Sequence, residues 1–211
     1  MTLSTILFDL DGTLVDTAPD LAYALNALLL ENGVEEKPYE VIKPLVAHGG
    51  KALITMGFEC NESHPEFTQR HQRLLQIYTD NIDKHTKTFE GIDDLLALIK
   101  QRKLLWGIVT NKPENLSHLL LDKLGIKPDV VVCGNTLKYN KPHPAPLLYA
   151  CAQLAVDPNS CLFVGDDKND MIAGNNAGIK TVAVTYGYGK VAQDWGYDYL
   201  VDYPQDIQRL M

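Results

Sequence analysis

Asp9 and Asp11 stand two residues apart in the run ILFDLDGTLVD, from Ile6 to Asp16. On an extended chain, side chains two apart point to the same side. Carboxylates held that way repel unless something positive lies between them. A hard divalent cation such as Mg²⁺, bound through oxygens, meets that need. Other polar clusters follow apolar runs further along: Thr110-Asn111-Lys112, and Asp166-Asp167 with Asp170 close behind. Lys141 precedes a proline and a helical segment. Taken singly, each has an ordinary explanation, since Asp-Gly marks turns, Thr-Asn caps helices and Lys-Pro suits a surface. Their recurrence at the ends of apolar runs points instead to one shared site.

The elements that must position these groups alternate. Ile6 to Phe8 reads as a strand buried on both faces. Further strands are expected at Leu104–Val109, Val130–Cys133, Cys161–Val164 and Thr181–Val184, and Tyr199–Val201 offers one more. Helices are expected between them at Ile92–Arg102, Leu116–Leu124, Pro144–Leu154 and Asp170–Ala177, with Gly125 and Gly178 as stops. Such alternation predicts an α/β fold, a Rossmann-like parallel sheet with helices on both faces. Ligands of open parallel sheets bind at the carboxyl ends of the strands, where the polar clusters fall.

Residues 16–86 break this pattern. Asp20–Glu31, Tyr39–Val46, Ala52–Phe58 and a long stretch from Pro65 to about Lys84 all read as helical, with no strand candidate. The shift predicts a helical domain, 16–86, inserted into a core made of 1–15 and 87–211. Within it, Gly49-Gly50 leaves backbone open to a ligand, flanked by His48 and Lys51. The alternative for that stretch is a helix start with solvent-facing polar neighbours.

The 211 residues carry a net charge of −8, which argues against nucleic acid or an anionic membrane as a main partner. An anionic ligand must therefore be drawn in by local positive charge. Four cysteines lie far apart without a CxxC pair, so neither a zinc site nor a disulfide framework is expected. No signal peptide or transmembrane run is apparent, which predicts a cytoplasmic protein.

The run Asp9 to Thr17 (DLDGTLVDT), the Thr110-Asn111 pair, Lys141-Pro142 and Gly165 to Asp170 (GDDKND) resemble, in order, the four motifs of the haloacid dehalogenase superfamily of phosphatases. The resemblance spans essentially the whole chain and is strongest to the phosphoglycolate phosphatase-like group. It implies that residues 16–86 are a helical cap. It implies Asp9 as nucleophile and Asp11 as general acid and base. Mg²⁺ would be held by Asp9, the Asp11 backbone carbonyl and Asp166. Lys141 would balance charge, and the Thr110 hydroxyl and Asn111 N–H would bind phosphoryl oxygens. Asp167 and Asp170 are left with three uses: touching the metal through water, orienting Lys141, or serving as carboxylates of a helix N-terminus. Lys112 adds positive charge near the substrate, and Gly49, Gly50 and Lys51 are the cap residues expected at the ligand. The sequence departs from the family pattern at His143, where KPDP-type sequences carry aspartate.

The presence of Asp11 favours phosphate-ester hydrolysis over dehalogenation, whose leaving group needs no proton. A phosphonate-cleaving relative would need a cap lysine for a Schiff base, and Lys51 is the one so placed. A sugar-phosphate mutase or phosphotransferase and a non-catalytic binder of phosphorylated ligands are the other readings. The expected partner is a small phosphorylated metabolite, with the chain a monomer or homodimer.

Overall fold

The computed structural model describes residues 3–211. The chain opens with β1 (Thr5–Phe8) and a short β2 (Val15–Asp16). Four helices follow, α1 (Ala18–Glu31), α2 (Tyr39–Ile42), α3 (Gly49–Phe58) and α4 (Phe67–Asp80), and then β3 (Lys87–Thr88). Strand and helix then alternate through α5 (Ile92–Gln101), β4 (Leu105–Val109), α6 (Glu114–Leu124) and β5 (Val130–Val132). The alternation ends with α7 (Ala145–Leu154), β6 (Cys161–Gly165), α8 (Lys168–Ala177), β7 (Lys180–Val184) and β8 (Tyr199–Val201). Two compact units result, Met1–Val15 with Thr88–Met211, and Asp16–Lys87.

The first unit holds a six-stranded sheet in the order β5-β4-β1-β6-β7-β8. Every neighbouring pair is parallel, as the alternation of strand and helix implies. The chain winds from β1 outward through β4 and β5, then crosses back to β6 and winds the other way. The reversal makes the carboxyl end of β1 a topological switch point, the natural crevice of such a sheet. Phe8 is level with Ile108 on one side and Val164 on the other. The polar residues after all three strands therefore emerge side by side. All four residues of β1 are buried. Leu7 and Phe163 pack with Val109, Leu147 and Cys151 in a core lined by α7 and α8. Full burial of each such side chain is worth roughly 1.5–3 kcal/mol.

The second unit is built from α1 to α4. Asp20, fully buried in the first turn of α1, accepts hydrogen bonds from the backbone N–H of His85 at 3.0 Å and Thr86 at 2.9 Å. Arg73 grips Glu31 through two nitrogens at 2.9 and 2.6 Å, tying α4 to α1.

Several boundaries differ from the sequence expectation. The long helix begins at Phe67, because Pro65 and Glu66 lie in a turn where His64 accepts from both following N–H groups. It stops at Asp80, where the Asn81 amide donates to the Ile77 carbonyl and takes the place of the next helical turn. The segment expected as one helix over Tyr39–Val46 changes to a 3₁₀ helix at Lys43–His48, since Pro44 cannot donate to an α ladder. Gly49 and Gly50 belong to the first turn of α3, and two-residue β2 and β3 are too short to show periodicity. Among the described residues, no helix is long and apolar enough to cross a membrane.

Candidate active site

Asp9 leaves β1 with its N–H still donating to the Val164 carbonyl at 2.9 Å, so its backbone remains locked into the sheet. Beside its side chain stands Lys141, whose ammonium lies 2.8 Å from Asp9 Oδ1 and 2.7 Å from Asp170 Oδ1. The Lys141 side chain is only 3% exposed. Asn111 fixes the Lys141 backbone from both sides, accepting from its N–H at 3.0 Å and donating to its carbonyl at 2.9 Å. The amide side chain of Asn111 thus acts as a clamp on the lysine loop, a role the sequence pattern did not suggest.

Asp166, at the end of β6, is almost fully buried. It accepts from Tyr188 N at 2.7 Å, Thr13 Oγ1 at 3.2 Å and Gly189 N at 3.4 Å. The Tyr188 and Gly189 donors come from the loop after β7, and the Tyr186 hydroxyl in that loop donates to the Thr13 carbonyl at 3.1 Å. These residues were not singled out from sequence. The closely spaced glycines at 187 and 189, next to a strand end, were the available signal. Gly12 has φ +82°, and a Cβ there would overlap the Asp166 carboxylate, so glycine is required twice over.

Oxygens of Asp9, Asp166 and Asp170 lie within 4.8 Å of one another. Burial raises the affinity of the Asp9 carboxyl for its proton, with Lys141 opposing and Asp11 adding to the rise. Asp166 is pushed up to about 7, first by burial and then by the charge of Asp9. Asp170 is raised too, by burial, with Lys141 opposing and the other two carboxylates reinforcing. Burial alone would lower Lys141, but Asp170 and Asp9 outweigh it and hold the ammonium charged. Three carboxyl groups thus face one ammonium, so ionising all of them calls for more positive charge than Lys141 supplies. Asp9 Oδ1 is buried and meets no aligned hydrogen-bond donor among the described residues, Lys141 approaching it as a charge. A hard divalent cation with oxygen ligands fits this set.

Asp167 turns elsewhere. Its side chain accepts from Asn169 N at 2.8 Å while Asp170 accepts from Asp167 N at 3.1 Å, a capping box at the start of α8. Asp170 therefore serves both the helix end and Lys141. His143 caps as well, its Nδ1 accepting from Ala145 N at 3.1 Å while the ring stacks on Tyr139.

Thr110 continues the ladder by donating its N–H to the Val132 carbonyl at 2.9 Å, and its hydroxyl accepts from Lys112 N at 3.2 Å. Lys112 lies beside Asp11. It is buried, and its ammonium donates to Asp11 Oδ1 at 2.9 Å. On the helical unit, Lys51 pairs with Glu62 at 2.6 Å, and a Cβ at Gly50 would press on the His71 ring. Neither Glu62 nor His71 was singled out from sequence. Burial, and then the Lys51 charge, lowers the His71 pKa.

A doubly wound sheet with buried carboxylates and an ammonium at its switch point is an α/β fold with its charged groups where such sheets bind their ligands. The chain belongs to the haloacid dehalogenase-like hydrolases, whose family model matches residues 6–184. It is 37% identical over 216 residues to an N-acetylmuramic acid 6-phosphate phosphatase of Pseudomonas putida, covering 100% of this chain and 97% of that one. It is likewise 37% identical over 213 residues to a phosphoglycolate phosphatase of Xanthomonas campestris, covering 96% and 93%. A crystal structure described as a predicted phosphoglycolate phosphatase from Haemophilus somnus superposes with a TM-score of 0.89 at 28% identity, covering 100% of this chain and 98% of that one.

Proposed function

We propose that this chain is a cytoplasmic, Mg²⁺-dependent phosphatase that hydrolyses a small phosphomonoester through a phosphorylated aspartate. The observation that carries the reading is the buried cluster at the switch point. There Lys141 bridges Asp9 and Asp170 at 2.8 and 2.7 Å, and Asp166 completes a set of three carboxylates.

In the first step a carboxylate oxygen of Asp9 attacks phosphorus. The bond from phosphorus to the ester oxygen breaks, and Asp11 gives that oxygen a proton. In the second step Asp11 takes a proton from water as the water oxygen attacks phosphorus. The bond to Asp9 breaks, inorganic phosphate leaves and both carboxyl groups return to their starting states. Lys141, oriented by Asp170 and the Asn111 clamp, balances charge on Asp9 and on the phosphoryl group. The Thr110 hydroxyl and the Asn111 N–H receive phosphoryl oxygens. Asp9, Asp166 and the Asp11 backbone carbonyl would hold Mg²⁺, which when bound supplies the charge that lets one anion approach another.

Substrate choice is assigned to the helical unit as a cap, at Gly49, Gly50 and Lys51. N-acetylmuramic acid 6-phosphate and 2-phosphoglycolate, the substrates named for the relatives, both pair a phosphate with a carboxylate. Recognition therefore calls for a cation beyond those at the phosphoryl group.

The test is turnover of p-nitrophenyl phosphate with Mg²⁺, followed by kcat/KM across these two esters, hexose phosphates and nucleotides. Asp9→Asn should lose at least about a thousandfold. Substantial turnover by that folded variant removes Asp9 as nucleophile. Binding of a phosphorylated ligand without hydrolysis selects the non-catalytic reading. Transfer to a second substrate hydroxyl in preference to water selects the mutase.

A further inference from the structure

We infer that Lys112 is a positioning residue for Asp11, setting the direction in which that carboxyl group works, and is not a ligand of the substrate phosphate. The inference rests on the proposed acid–base role of Asp11. Its ground is the 2.9 Å contact from Lys112 Nζ to Asp11 Oδ1, with side chains 6% and 19% exposed. A charge-assisted contact of this length is strong and directional. Anchoring one carboxyl oxygen decides where the other points, whichever protonation state the reaction cycle has reached.

The lysine backbone is itself held from several sides. Its N–H donates to Thr110 Oγ1 at 3.2 Å. Its carbonyl accepts from Gly134 N at 2.9 Å and from Ser117 Oγ at 3.3 Å. A Cβ at Gly134 would overlap the Asn111 carbonyl, so β5 can approach the loop only through glycine. A loop held this firmly keeps the buried ammonium, and with it the Asp11 oxygen it contacts, at a fixed place. The Lys112 ammonium is already engaged by the Asp11 carboxylate, so its charge is directed at that side chain. Thr110 and Lys112 also share a hydrogen bond, so one loop carries both a proposed phosphoryl ligand and the anchor of the proposed acid.

The experiment compares Lys112→Met, Lys112→Gln and Lys112→Arg with the parent. Each is assayed on an alkyl phosphate, whose leaving group needs a proton, and on p-nitrophenyl phosphate, whose leaving group needs little help. Loss of the anchor should lower kcat on the alkyl ester by about tenfold to a hundredfold, the scale on which misplacing a reacting group acts. The aryl ester should lose far less, KM should move little for either, and Lys112→Arg should recover part of the loss. In an Asp11→Asn background, Lys112→Gln should add almost nothing. Equal losses on both esters carried by KM, or losses that add in the double variant, overturn the inference and make Lys112 a substrate ligand. Should Lys112→Met fail to fold, Lys112→Gln, which keeps a donor, decides by the same criteria. Asp11→Asn alone separates the two levels. If it shows no dependence on the leaving group, the acid role fails. If it does while the Lys112 variants do not, only the anchor fails.

Discussion

Two buried lysines hold carboxylates at neighbouring strand ends, and they do so differently. Lys141 sits between Asp9 and Asp170 with side-chain exposures of 3%, 13% and 1%. Lys112 contacts Asp11, which keeps more of its surface open. The first arrangement is closed, with Asn111 locking the backbone and Phe163 under the ammonium at 5.4 Å. It suits a group whose charge must stay constant. The second leaves room for the proton transfers proposed for Asp11. The contrast matches the two roles proposed for these pairs, charge balance at Lys141 and proton transfer at Asp11.

Removing the closed lysine should do the most damage. Lys141→Met leaves Asp9 and Asp170 facing each other without their cation, and breaking such a buried pair costs about 3–5 kcal/mol. Urea unfolding should register that loss together with near-complete loss of turnover. A variant as stable as the parent would show that the carboxylates need no partner. At the open pair, Asp11→Asn should keep the fold and lower kcat on alkyl phosphates by about 10²–10⁴. On p-nitrophenyl phosphate the drop should be much smaller, and equal drops would remove the distinction between the two regions.

The metal-free protein gives a third comparison. Asp166 has its pKa raised from 3.8 to about 7. A carboxyl group raised on folding holds its proton more tightly in the folded state, so stability should fall as pH climbs from about 4 to about 7. Mg²⁺ binds the ionised carboxylates and competes with those protons. Its addition should therefore raise Tm more at about pH 8 than at about pH 5. An equal rise at both would place the cation away from Asp166. The smallest effect is expected at Asp167, whose side chain serves α8. Asp167→Ala should cost about 1 kcal/mol of stability and change kcat/KM little. A large loss of activity restored by excess Mg²⁺ would instead make it a ligand.

Much of the sheet was legible because β1, β4 and β6 are short apolar runs that end abruptly in polar residues. The same signal marked Asp9, Thr110 and Asp166. What stayed hidden depends on neighbours brought together by parallel register. Lys112 and Asp11 are 101 residues apart, Asn111 and Lys141 are 30, and Tyr188 reaches Asp166 across 22. No local pattern encodes those meetings. The sequence placed Lys112 near the substrate as a positive charge, but its contact with Asp11 exists only because β4 is laid against β1. In the helical unit, α4 ended early because one asparagine amide took a carbonyl, an event that amphipathic spacing does not report.

Asp20 carries a consequence for how such a chain can diversify. By accepting from His85 and Thr86, it brings the two ends of a 65-residue excursion to one point. A segment that departs and returns at the same place can be lengthened, shortened or exchanged as a cassette without disturbing strand register in the sheet. Asp20 is then the buckle of that cassette. A grafted unit that keeps this carboxylate and its two N–H partners should inherit the attachment and be free to vary everywhere else.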